Sequence, residues 1–421
     1  MPDVSPALAC ARSSRCSDPA RRKTAALKND RLGQKLPRGR IASGGGLSRK
    51  GVMKSPNLQF LRLPAFCACL ALGTAILHAA ETPANALLVL EKAQNTLVIV
   101  DPESLQIVAR VPVGNDPHEV AVSDDGRTAY ISNYGGGAGG YNTIAVVDLA
   151  AQKALTPIDL GALRAPHGLT FAGGKLYFTA EGSKVVGRYD PSTQKIDWVM
   201  GTGQNRTHMV LVSKDLKTVF TSNVSSATIS VISQTAPGQG GPGRGPGPPP
   251  GGRGPGPGGP PPAGRGPGGR GAPDWNITDI PVGRGSEGFD LTPDGKELWV
   301  ANAQDATISI IDVAEKRVVE TIPSTAAANR LKITPNGKYV FVSDMNGTNL
   351  LVINAATRKE YSRIVLPASS EGLLVQPDNK RAYTTMNTHD AVAVIDLSTM
   401  TFIDEVKTGK GPDGLAWAAR R

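Results

Sequence analysis

"SEGFDLTPDGKELWVAN", Ser286 to Asn302, reads as two short strands around a tight turn. Its apolar residues alternate on either side of "PDG", which supplies a type I turn and a residue free to turn left-handed. The same phrase recurs along the chain. It opens at Pro117 ("PHEVAVSDDGRTAYISN"), Pro166 ("PHGLTFAGGKLYFTAE"), Thr207 ("THMVLVSKDLKTVFTSN"), Ala328 ("ANRLKITPNGKYVFVSD") and Ser370 ("SEGLLVQPDNKRAYTTM"). A truncated copy, "PDGLAWAAR", opens at Pro412. The last four starts are spaced by 42 residues.

Each unit adds a third strand ("TIAVVDL", "TISIIDV", "NLLVINA", "AVAVIDL") and a fourth ending in "IPVG" or "DLG". Four strands at this period predict a propeller blade, because one blade cannot bury both faces and must stack on neighbours. The chain's last unit stops after one strand. The stretches "ALLVL", "TLVIVD" and "QIVARVPVG" before Pro117 supply the three strands missing from it. The expected fold is therefore all-β, a seven-bladed β-propeller of four-stranded antiparallel blades, closed by pairing of N- and C-terminal strands. Closure removes the exposed edges that an open solenoid would keep.

Formal net charge is +10, but it is unevenly placed. Residues 1–80 hold fourteen Lys/Arg and three Asp/Glu, whereas 81–421 hold 32 and 33. No nucleic-acid footprint remains in the body of the chain. The segment from Met53 has a short basic start, an apolar stretch from Leu63 to Leu77 and small residues before Glu81. This is the layout of a signal peptide over 53–80, too short for a comfortable membrane span, and it predicts a periplasmic, secreted or cell-surface protein. Residues 1–52 are read as a non-native or disordered extension. All four cysteines precede Ala80, so the exported chain would hold no disulfide, thiolate metal site, cysteine nucleophile or covalent c-type haem. Residues 236–273 contain 17 Gly and 13 Pro and are expected to be a disordered insert between the third and fourth strands of one blade.

The phrases "VAVSDDGRTAYISN" with "IAVVDL", and "DLTPDGKELWVAN" with "ISIIDV", resemble the YVTN-type β-propeller repeat of secreted and cell-surface bacterial proteins. The resemblance covers nearly all of 86–420 apart from the insert. It implies the lactonase-like propeller superfamily, which includes lactonase-type enzymes, haem-d1-binding domains and proteins without known chemistry. Fold follows from such a likeness more readily than function does.

The second residue of each unit is His118, His167, His208, Glu287, Asn329, Glu371 or Asp413. The loop into the innermost strand lies on one face, so these residues should ring one mouth of the central channel. His389, in a strand-two to strand-three loop, should share that face. Imidazole and carboxylate together suit a divalent transition metal, with His118, His167, His208, Glu287, Glu371 and Asp413 as candidate ligands. Arg206, Arg330, Asn329 and His389 are candidates for holding a small molecule or protein partner there. The expected function is a binding module acting through this mouth. The alternatives are a metal-dependent lactonase or lyase on the same ring, or a non-covalent haem or redox site. The Gly-rich "YGGGAGGY" (Tyr134 to Tyr141) opens no helix and is read as a flap rather than a phosphate loop.

Overall fold

The recurring Asn that ends strand two shows how the repeat closes on itself. Asn223 Nδ2 donates to Thr228 and Ser230, and Asn302 Nδ2 donates to Thr307 and Ser309, tying the second strand to the start of the third. The turn between strands one and two is just as local. The Ser123 and Thr292 hydroxyls donate to Asp125 and Asp294, and the following Gly126 and Gly295 sit at φ +70° and +73°. The Asp that ends strand three caps the next turn: Asp148 accepts from the backbone of Ala150 and Ala151.

The computed structural model describes residues 81–136, 139–235 and 274–421. The predicted leader, all four cysteines, the Gly/Pro-rich insert and the tip of the predicted flap lie outside the described residues. Among the described residues the strands form seven four-stranded antiparallel sheets, each with its first strand innermost and its fourth outermost. The units beginning at Pro117, Pro166, Thr207, Ser286, Ala328 and Ser370 form blades one to six. Blade seven is shared between the chain ends: Pro412–Ala419 is its inner strand, paired to Asn85–Glu91, with Thr96–Val100 and Ile107–Pro112 outside. No described helix is long and apolar enough to cross a membrane.

The core is divided among the blade interfaces. Leu88, Ile99 and Ala416 of blade seven pack with Ile131 and Val147 of blade one. Phe220 and Val231 of blade three pack with Phe289 and Val300 of blade four. Trp299 and Ile310 of blade four pack with Leu331 and Val342 of blade five. Each blade is thus buried only because it has neighbours on both sides.

The inner strands carry a feature that shapes the mouth. In blades one, two, three, four and five the register slips by one residue between the first and fourth positions of strand one, as in Pro117/Val120. Such a bulge leaves an extra residue unpaired on the ladder. The freed N–H at the third position, as in Gly168, Met209 and Arg330, is taken by Thr179, Ser222 and Ser343 of strand two. Each of these hydroxyls then donates to the second-position carbonyl of the next blade: His208, Glu287 and Glu371. A hydroxyl therefore links the inner strands of consecutive blades at the level of the ring. A side chain at Gly168 or Gly372 would collide with that neighbouring backbone.

Candidate metal centre at the channel mouth

His118, His167 and His208 stand side by side on blades one to three. The ring centroids of His118 and His167 are 5.1 Å apart, and those of His167 and His208 only 3.8 Å. His167 and His208 are each 2% exposed. Tyr134, just past strand two of blade one, meets both His118 and His167 edge-on. Its hydroxyl donates to Glu181 Oε2. The other oxygen of Glu181 lies 2.5 Å from His208 Nδ1. Glu287 Oε2 lies 2.8 Å from His208 Nε2, within ion-pair reach.

His167, Glu181 and His208 form the convergent group, with one ligand atom from each lying within 4.8 Å of the others. His167 Nδ1 is buried and has no hydrogen-bond partner. Burial, reinforced by His208, His118, Arg330 and Arg206, holds the His167 pKa well below the ordinary imidazole value and leaves the ring neutral. Burial acts the same way on His208, but Glu287 and Glu181 outweigh it and its pKa is raised. Burial opposes the charge of Glu287, yet His208, Arg330 and Arg206 bring its pKa down to about 2. Burial, with the Glu181 hydrogen bond, pushes the Tyr134 phenol up to about 12.

The remaining ring residues take other roles. His118 faces Asp116 through Nε2 at 3.1 Å and Asp413 through Nδ1 at 3.4 Å, and burial lowers its pKa despite Asp413. Asp413 also meets Lys92 at 3.4 Å. Glu371 is raised by burial and by Asp413. Asn329 is buried at the ring position of blade five. Arg330, its neighbour, reaches across the channel to Glu119 of blade one at 2.6 Å. Arg206 lies at the rim, 3.7 Å from Glu181 and 3.5 Å from Glu287. His389, on the short turn Asn387–His389, bonds Glu405 away from the cluster. Among the predicted ligands, His167 and His208 come together. Glu181 joins them unpredicted, while His118, Glu287, Glu371 and Asp413 surround the group. The clue to Glu181 is the blade-two hairpin: Ala180, not Glu181, pairs with Pro166, so Glu181 takes the place that Tyr134 holds in blade one.

This architecture is a seven-bladed β-propeller. No family model matches the chain, and no curated protein matches it by sequence. The fold is similar to that of a functionally unknown protein from Desulfotomaculum acetoxidans DSM 771 (TM-score 0.63, 11% identity, covering 80% of this chain and 100% of that one). It is also similar to a "putative 6-phosphogluconolactonase" from Bacteroides fragilis NCTC 9343 (TM-score 0.59, 13% identity, 80% and 98%). A third likeness is to dihydro-heme d1 dehydrogenase NirN in complex with DHE (TM-score 0.53, 16% identity, 79% and 65%). At such identities the likeness extends to the fold alone.

Proposed function

We propose that this chain is an exported YVTN-type propeller that acts as a metal-dependent binding module. Its channel mouth takes a divalent transition ion through His167, His208 and Glu181. One observation carries the reading: a neutral buried imidazole with an unpartnered nitrogen converges with a second imidazole and a carboxylate. An unsatisfied buried polar atom costs about 1–3 kcal/mol, and a coordinate bond would remove that cost. Two imidazoles and a carboxylate are a donor set used by zinc, and one suited to manganese or iron. The local charge agrees, since among the described residues the carboxylates of Glu119, Glu181, Glu287, Glu371 and Asp413 outnumber the fixed cations Arg206, Arg330 and Lys92 that meet them. Imidazoles 3.8 Å apart suit a bound ion better than an inserted macrocycle. Three protein donors also leave a coordination position open, which a metal-dependent lactonase or lyase would require.

Calorimetric titration of chelator-stripped protein with Zn²⁺, Co²⁺ and Mn²⁺ tests this. One equivalent should bind with a Kd of about 10 μM or tighter, and Glu181→Gln or His167→Ala should weaken it by about tenfold or more. His389→Ala should bind like the parent. Absence of any binding tighter than about 100 μM would remove the metal reading and the metal-enzyme alternative with it.

A further inference from the structure

We propose that Arg206 makes this mouth a receptor for a small oxyanion, a carboxylate or phosphate group that binds beside the metal. The proposal rests on the metal reading above and adds the class of ligand that completes the site.

Two independent features single out Arg206. The first is its backbone. Arg206 precedes strand one of blade three at φ +58°, and its carbonyl accepts from Val224 N–H at 3.0 Å. The same repeat position in blades four and seven holds Gly285 and Gly411, at φ +73° and +66°. Blades one and two place Asp116 and Ala165 there in the same conformation. The left-handed conformation is thus a feature of the repeat, and what differs in blade three is the long cationic side chain that stands on it. That side chain sets a cation at the rim of the mouth.

The second feature is how loosely that cation is held. Arg330, nearby, is 12% exposed and makes a 2.6 Å pair with Glu119. Arg206 is 42% exposed, and its contacts with Glu181 and Glu287 are 3.7 Å and 3.5 Å. Its hydrogen bond to Glu287 is long at 3.5 Å, against the about 2.7–2.9 Å usual for charge-assisted pairs, so Arg206 is held less tightly than Arg330. A metal held by Glu181 would compete with Arg206 for that carboxylate, and an exposed guanidinium fork matches the two oxygens of a carboxylate or phosphate. The Arg330–Glu119 pair crosses the channel, so an anion arriving from the rim meets Arg206 first.

The test uses the full chain loaded with zinc, titrated by calorimetry with pyruvate and, separately, inorganic phosphate. At least one probe should bind the parent. Arg206→Gly should weaken that probe by about tenfold or more. It should retain zinc and melt at the same or a higher temperature, because glycine accepts this backbone conformation. Pyruvate-only or phosphate-only binding assigns the carboxylate or the phosphate class. Equal binding by parent and Arg206→Gly, or equal binding with and without zinc, would overturn the proposal. Zinc uptake with no anion uptake would overturn it and leave the metal reading intact, whereas no zinc uptake would overturn both.

Discussion

Glu371 shows how the ring tunes a single carboxyl group. Burial and Asp413 raise its pKa, with Lys92 and Arg330 opposing only in part. A carboxyl group raised in the folded state holds its proton longer than in the unfolded chain. It therefore costs no stability below the ordinary carboxylate range and lowers stability as pH rises through the folded value. Metal-free Glu371→Gln protein should thus melt at a higher temperature than the parent at pH 7, and the gap should close by about pH 4. A gap that widens as pH falls would mean that Glu371 is stabilised as a carboxylate. The histidines were legible at this scale because the repeat period alone put them in register. Glu181 was not. The blade-two hairpin is shorter than its counterparts, and only the Ala180–Pro166 pairing reveals which residue follows strand two there.

Between strand and blade, the bulge and its hydroxyl bridge matter most. Thr179 is fully buried, accepts from Gly168 N–H at 2.9 Å and donates to the carbonyl of His208 at 2.6 Å. Thr179→Val keeps the shape and leaves both backbone groups unpaired. A loss of about 2 kcal/mol or more is expected in urea denaturation, together with weaker zinc binding because His208 loses its anchor. A loss below about 0.5 kcal/mol would show that the bridge contributes little. The strands and turns were readable as alternation and turn chemistry. The bulge was not, because a one-residue slip leaves no mark in an alternating pattern. Neither was the bridge, since a Ser or Thr in strand two looks like any small strand residue.

Over the whole molecule, the sequence period anticipated the seven blades and the blade shared by the chain ends. Because Pro412–Ala419 is the inner strand of that blade, deleting 412–421 strips Asn85–Glu91 of its inner partner and opens the core between blades seven and one. Stabilities of about 5–15 kcal/mol leave little reserve, so the truncated chain should unfold or aggregate. The insert should behave differently. Its flanking residues Thr235 and Asp274 are already joined backbone to backbone at 2.9 Å. Replacing 236–273 with an Asn-Gly turn should leave the melting temperature nearly unchanged, because loop length enters stability only slowly. If the loop replacement unfolds the protein while the truncation does not, the assignment of the blades to function and stability fails. The proposed export belongs to the same scale: the mature mass should correspond to residues 81–421, and a mass that retains residues 1–52 would contradict the leader reading.

The ion proposed among His167, His208 and Glu181 can be sought directly. Anomalous diffraction from zinc-soaked crystals, recorded above and below the zinc edge, tests for it without any appeal to activity. One strong peak is expected in contact with all three side chains, at the bond lengths of about 2.0–2.2 Å that zinc makes with nitrogen and oxygen. A peak confined to surface carboxylates, or none at the mouth at full zinc loading, would contradict the metal reading.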